Sequence, residues 1–174
     1  MAEKIILFSE EDVQWRLLEM VINGTEPSPK SEQALRTSID VSQRNYADAL
    51  FTLAAVYSTQ KRFADAEPLA REAVKVNAGS WEANLELARS LYGVDQNEEA
   101  EASALEALRI QPDSPPALLL LANIHLKLRN YPALIQDLDN YLELAPNGPQ
   151  ADQARQMREQ VFNRIANIQP RATQ

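Results

Sequence analysis

The sequence predicts an all-α solenoid of antiparallel helix pairs, closed by a C-terminal capping helix. Three observations carry that expectation. Sliding the 174-residue chain against itself by the interval from Leu53 to Leu87 aligns column after column of small and apolar side chains. Within each repeating unit the apolar residues fall at i, i+3, i+4 and i+7, the spacing of one helical face. No alternating strand pattern of useful length interrupts them.

The columns begin with Leu53, Leu87 and Leu121, and then Ala54, Ala88 and Ala122. Three positions on stand Tyr57, Leu91 and His125. Further along come Phe63, Asn97 and Tyr131, then Ala66, Ala100 and Leu134. Ala70, Ala104 and Leu138 follow, and after them Ala73, Ala107 and Tyr141. Ala78, Pro112 and Pro146 close the units, which run over 47–80, 81–114 and 115–148.

Each unit reads as two helices. Leu50, Leu53, Ala54 and Tyr57 mark the inward face of the first, and Ala66, Ala70, Ala73 and Val74 that of the second. The turn between them, Ser58 to Arg62, is short and polar. Asn77-Ala78-Gly79-Ser80 supplies a glycine stop and a serine N-cap. Asp113-Ser114-Pro115 supplies an N-cap followed by proline at the first helical position, and Asn147-Gly148-Pro149 repeats that logic. Pro68 is placed early in its helix, near N–H groups that need no partner. The alanines let helices approach closely, while Tyr57, Phe63 and Tyr131 fill the gaps beside them. A bulky side chain at Ala88 would overpack that contact.

The whole chain reads as one domain. Residues 9–46 resemble a degenerate first unit, with Trp15, Leu18 and Ile22 in the opening helix and Leu35, Ser38, Ile39 and Val41 in the second. Ser9-Glu10-Glu11-Asp12 would cap it. Its turn, Asn23 to Pro29, is longer than the others. Residues 149–168 form the expected capping helix, with Ala154, Met157, Val161, Ile165 and Ile168 as its apolar stripe. Arg155 and Gln156 stand where a following unit would pack, so that end faces solvent.

This pattern resembles the tetratricopeptide repeat family. Leu53, Ala54, Tyr57, Phe63, Ala66, Ala70 and Ala73 carry the resemblance in the first full copy. Leu87, Ala88, Ala100, Ala104, Ala107 and Pro112 carry it in the second. The third relies on Leu121, Ala122, Tyr131, Tyr141 and Pro146. Leu134 in place of an alanine and Asn97 in place of an aromatic are departures from the family pattern. The resemblance implies a right-handed superhelical solenoid that binds peptides or other proteins in a concave groove lined by the first helix of each unit. Transferred to this chain, the groove residues are Phe51, Ala55, Ser58, Leu85, Arg89, Tyr92, Leu119, Asn123 and Leu126. Arg16 and Met20 of the degenerate unit would join them. Phe51, Leu85 and Leu119 form an apolar row at the repeat spacing, which reads either as a docking surface or as packing within the array.

Some family members clamp a C-terminal carboxylate with Lys, Asn and Arg. Here the corresponding positions hold Phe51, Ala55 and Glu86 in one register, or Arg16, Met20, Thr52, Glu82 and Glu86 in the other. A carboxylate needs cations and amide donors, so a carboxylate tail is a poor fit. An amphipathic helix or an extended apolar segment suits the groove better, oriented by Arg89 and Asn123.

Composition removes other function classes. The chain has no Cys, which excludes disulfides, thiolate zinc sites and a cysteine nucleophile. One His and four Gly leave little for multi-histidine metal sites or glycine-rich phosphate loops. A net charge of −8 would repel nucleic acid and anionic lipid. The apolar run Ile5 to Phe8 is shorter than the roughly 7–15 residues of a signal peptide. No stretch approaches the ~20 apolar residues of a membrane span. His125 reads as an interhelical packing residue. Asp137 and Asp139 near Glu143 read as solvated helix surface, as do Glu98, Glu99 and Glu101. Asn23-Gly24-Thr25 matches a glycosylation sequon, which matters only in a secreted eukaryotic protein. With no nucleophile–base pair, metal cluster or phosphate loop, the expectation is no enzyme, no cofactor and no metal. What remains is a protein–protein interaction scaffold or adaptor that binds a protein or peptide. The alternatives are a self-assembling homo-oligomeric module and an accessory domain of a larger protein. The lack of cysteine fits cytoplasm and periplasm alike.

Overall fold

A computed structural model describes residues 46–168. Among them lie seven helices and no strand: α1 (Tyr46–Thr59), α2 (Phe63–Val76), α3 (Trp81–Gly93), α4 (Asn97–Ile110), α5 (Pro115–Lys127), α6 (Tyr131–Leu144) and α7 (Ala151–Ile168). The fold is an all-α helical solenoid. Residues 9–45 of the degenerate unit, with Arg16 and Met20, lie outside the described residues.

The helices stack as α1 on α2, α2 on α3, and so on to α6 on α7. In addition α1 packs closely on α3, and α3 on α5, whereas the outer helices α2, α4 and α6 lie farther apart, with α2 and α4 bridged only by side chains such as Arg71 and Glu99 at 3.0 Å. The array therefore has a tight inner layer and a looser outer layer, and it curves around α1, α3 and α5. α7 packs on α6 without reaching α5.

The repeat columns are the core. Ala54, Ala66, Ala70, Ala73, Ala88, Ala100, Ala104 and Ala107 have no exposed surface. Leu53, Leu87, Leu91, Leu121 and Ile124 are buried among the alanines of α1 to α4 in one continuous cluster. A second cluster joins Leu118, Leu134, Leu138 and Tyr141 to Ala154 and Val161 of α7. Leu134 and Leu138 replace alanines of the earlier units, and both are buried against this cap.

The turns inside the pairs share one geometry that the sequence does not advertise. Lys61, Asp95 and Arg129 all have positive φ, at 60°, 64° and 57°. Each stands one full repeat from the next. Around the first, Arg62 N–H donates to the Tyr57 carbonyl and Lys61 N–H to that of Ser58. The same pair of bonds recurs from Gln96 and Asp95 to Leu91 and Tyr92, and from Asn130 and Arg129 to His125 and Leu126. This is the Schellman closure, which satisfies the last carbonyls and reverses the chain within a few residues. It usually uses glycine; here charged side chains accept the left-handed conformation because they point to solvent.

The breaks between pairs differ more than expected. Ser80 caps α3, accepting from Ala83 N–H at 3.1 Å. The chain leaves α2 at Asn77, so Gly79 is not the stop residue, and its N–H donates to Asn77 Oδ1. Ser114 stands at the N-cap of α5 with Pro115 in the first helical position, but its hydroxyl is buried with no hydrogen-bond partner. The cause is local: Pro115 and Pro116 have no N–H to offer, and Ala117 N–H goes to the Ser114 carbonyl. α7 starts at Ala151, two residues after Pro149. Pro68 is inside α2 rather than at its free end, as the sixth helical residue. The Ala64 carbonyl it leaves without a donor belongs to an exposed residue, where water serves it.

Gly93, the last residue of α3, is a contact residue. A Cβ built there would meet the Phe63 ring at 2.1 Å. Gly93→Ala should therefore destabilise the fold by about 1–3 kcal/mol, read by urea titration. Ser80→Ala should cost about 1 kcal/mol in the same experiment. Ser114→Ala should be neutral or stabilising, since a buried hydroxyl without a partner costs roughly 1–3 kcal/mol. Equal losses at the two serines would show that the prolines do not decide the difference.

Candidate functional site

The inner layer leaves one face of α1, α3 and α5 uncovered by the outer helices. On α5 the buried residues are Ala117, Leu118, Leu121, Ala122, Ile124 and His125. Pro116, Leu119, Asn123, Leu126 and Lys127 point the other way, at helical spacing, and remain half or fully exposed. The equivalent face of α3 carries Glu82, Arg89 and Tyr92, and that of α1 carries Asp48, Phe51 and Ala55. Phe51, Ala55, Arg89, Tyr92, Leu119, Asn123 and Leu126 thus share one open concave surface.

Leu85 and Ser58 do not. Leu85 is 6% exposed and packs with Ala107 and Ala117, with Trp81, Leu108 and Leu120 beside it. The apolar row Phe51–Leu85–Leu119 is consequently broken in its middle: the central leucine holds α3 against the next unit. Ser58 is 5% exposed and donates to Glu86 Oε1 at 2.5 Å.

Glu86 is the group that sequence reasoning undervalued here. It is 3% exposed, beneath the groove floor, and links α1 to α3 through Ser58. Arg89 Nη1 donates to its other oxygen at 2.8 Å. Burial pushes the Glu86 carboxyl above the usual carboxylate range, against the opposing pull of Arg89 and the Ser58 hydroxyl. Part of Arg89's donor capacity is thus used within the chain. Asn123 likewise turns back, donating from Nδ2 to the Leu119 carbonyl at 2.9 Å. Lys127 closes the far rim, lying over the Tyr92 ring at 4.2 Å and reaching Asp95 Oδ1 at 2.5 Å.

A polar cluster lies behind the groove on α5. His125 is buried, as its column implies, but it is not simply a packing residue. Its Nδ1 is 2.6 Å from Asp137 Oδ2 on α6, and its Nε2 is 2.9 Å from Glu101 Oε1 on α4. The ring thus bridges two carboxyl groups, one through each nitrogen. Burial raises the Asp137 carboxyl above its ordinary range, opposed by His125 and reinforced by Glu101. Asp137 and Glu101 are therefore structural partners that join two repeat units, not the solvated surface expected of them. Asp139 is forked by Arg158 of α7. The two carboxylates sit on opposite edges of the ring and do not converge on a common point. Among the described residues no group of three or more His, Asp or Glu could hold a metal ion. No helix there is long and apolar enough to cross a membrane.

A sequence profile of the tetratricopeptide repeat matches residues 51–115 and again 85–149. The chain is a tetratricopeptide repeat protein. Similar solved structures share the fold at low identity. The tetratricopeptide domain of Arabidopsis OM64 superposes with a TM-score of 0.64 at 17% identity, covering 70% of this chain and 98% of that one. The Yersinia enterocolitica type III secretion translocator chaperone SycD gives 0.66 at 15%, covering 76% and 94%. The first such domain of Spaghetti (RPAP3), bound to the Hsp90 peptide SRMEEVD, gives 0.65 at 16%, covering 74% and 98%. No curated protein matches the chain by sequence.

The raised Glu86 carboxyl has a pH consequence for this repeat protein. A group whose folded pKa exceeds its unfolded value contributes stability below the unfolded value, near 4.3, and loses it as pH rises through the folded one. Glutamine cannot ionise and can still accept from Ser58. Glu86→Gln should therefore match the wild type near pH 4 and melt at a higher temperature than it at pH 7. Circular dichroism melts across that range check this; a gap that is constant with pH would sink the account.

Proposed function

We propose that this tetratricopeptide repeat protein is a non-catalytic interaction module whose concave face captures an apolar or amphipathic segment of a partner protein. The observation that carries the reading is the exposure of apolar side chains on the inner layer. Phe51, Tyr92 and Leu119 stay half-open, and Leu126 is exposed, although buried positions are available a few residues away on the same helices. Apolar surface left open on a preformed face is what a docking segment covers. The face is preformed, because its helices pack on fully buried alanines, so little ordering cost falls on this side of the complex.

Structures of the same fold support the reading. PcrH is in complex with the chaperone-binding region of PopD, and SycD with a peptide of the translocator YopD. The tetratricopeptide domains bound to Hsp90 and Hsp70 peptides are a less apt guide to the ligand. Phe51, Ala55 and Glu86 in one register, or Arg16, Met20, Thr52, Glu82 and Glu86 in the other, occupy the positions where a carboxylate clamp would need cations and amides, and most of them supply neither.

The test is a pull-down from the source lysate with the wild type and a Leu119→Glu, Leu126→Glu double variant of native helicity. A protein captured by the wild type and lost in the variant is the expected result. Equal capture by both would move the binding surface to the outer helices or the ends and end the groove reading. Recovery of the chain's own copies alone would favour self-assembly. Leu85 is unsuitable for this purpose, since Leu85→Glu would bury a charge against Ala107 and Ala117.

A further inference from the structure

The concave face carries charges as well as apolar surface, and those charges are unevenly paired. Both of its cations have partners within the chain: Arg89 with Glu86 at 2.8 Å and Lys127 with Asp95 at 2.5 Å. Two of its carboxylates have no such partner among the described residues. Asp48 on α1 and Glu82 on α3 stand at the same position of successive repeats, on helices that touch. Neither has a cationic partner among the described residues; Glu82 receives only the Ser80 hydroxyl at 3.0 Å. They act on each other instead. Burial holds the Asp48 carboxyl above its ordinary range, and the like charge of Glu82 adds to the push. In the third unit this position is Pro116, so the negative charge is confined to one end of the groove. Phe51 lies one helical turn from Asp48 on the same face.

We propose that the segment held in the groove is basic as well as amphipathic: a Lys or Arg of the partner seats between Asp48 and Glu82, and its apolar side chains lie against Phe51, Tyr92 and Leu119. The proposal rests on the groove reading and gives it a chemistry. A cation placed there relieves the repulsion between two half-buried carboxylates and forms charge-assisted hydrogen bonds with both. The net charge of −8 draws a basic segment toward the surface. An acidic segment meets the reverse, because each cation of the groove is already neutralised by a neighbour of its own.

Three synthetic amphipathic peptides with one leucine pattern, carrying Lys, Ser or Glu at the polar positions, test this by fluorescence anisotropy against the intact chain. The Lys peptide should bind about tenfold tighter than the Ser peptide, and the Glu peptide should be weakest. The preference should shrink between about 50 and 300 mM salt. In the Asp48→Asn, Glu82→Gln variant the preference should fall below about threefold while Ser-peptide affinity holds. A matched-charge control, Glu98→Gln with Asp113→Asn at exposed positions elsewhere, should keep the full preference. A Lys preference that survives Asp48→Asn, Glu82→Gln, or that the control also loses, overturns the pairing in favour of bulk charge. Equal binding of all three peptides overturns it as well. Leu119→Glu separates the two layers of the argument: undiminished binding of every peptide to that variant overturns the groove itself. Binding of none of the peptides to the wild type overturns both.

Discussion

Alanines with no exposed surface set the distance between neighbouring helices, and the rest of the structure follows from that distance. Ala54, Ala66, Ala88 and Ala100 bring backbones close enough that Leu53, Leu91 and Tyr57 fill the remaining gaps. Their recurrence at one fixed interval places each unit on the next in the same way, which turns a local packing rule into a curved array. The curve in turn decides which residues of α1, α3 and α5 are left facing outward. Toward the C-terminal end the rule changes. Leu134 and Leu138 take the alanine positions, and α7 provides the matching apolar stripe of Ala154 and Val161.

The periodicity, the core columns and the number of helix pairs over 47–148 were legible because they depend on spacing alone. The groove was legible only in part. Helical phase says which way Leu85 points, yet burial depends on how closely its neighbours lean in, and Ala107 of its own unit and Ala117 of the next cover it. Leu119 has the same phase and stays half-open, because α7 packs on α6 and never reaches α5. The polar contacts were hidden for a different reason. Glu101, His125 and Asp137 belong to three helices, and no sequence distance marks them as neighbours. The left-handed residues Lys61, Asp95 and Arg129 were equally silent, since none is glycine or asparagine. The family was readable from three copies of a motif whose alanines leave few other folds.

Charge completes what shape begins. Beneath and behind the open face, Glu86 with Ser58 and Arg89, and His125 with its two carboxylates, tie successive units together through satisfied polar groups. On the face itself Asp48 and Glu82 have no cationic partner among the described residues. In the proposed complex the apolar residues would supply adhesion, and these two carboxylates would supply discrimination between segments of similar hydrophobicity.

The layering also gives the array a one-sided stiffness. Its inner helices already touch, so bending it tighter would force α1, α3 and α5 into one another against a packing that barely compresses. Its outer helices lie farther apart, linked by long side chains such as Arg71 and Glu99, so straightening the stack brings them together at little steric cost. The curvature can relax but not increase. For the proposed docking face, a bulky segment would be accommodated by a slight uncoiling shared among the units, and a slender one would not be gripped by closing further. Fit to small ligands has to come from the side chains already lining the face.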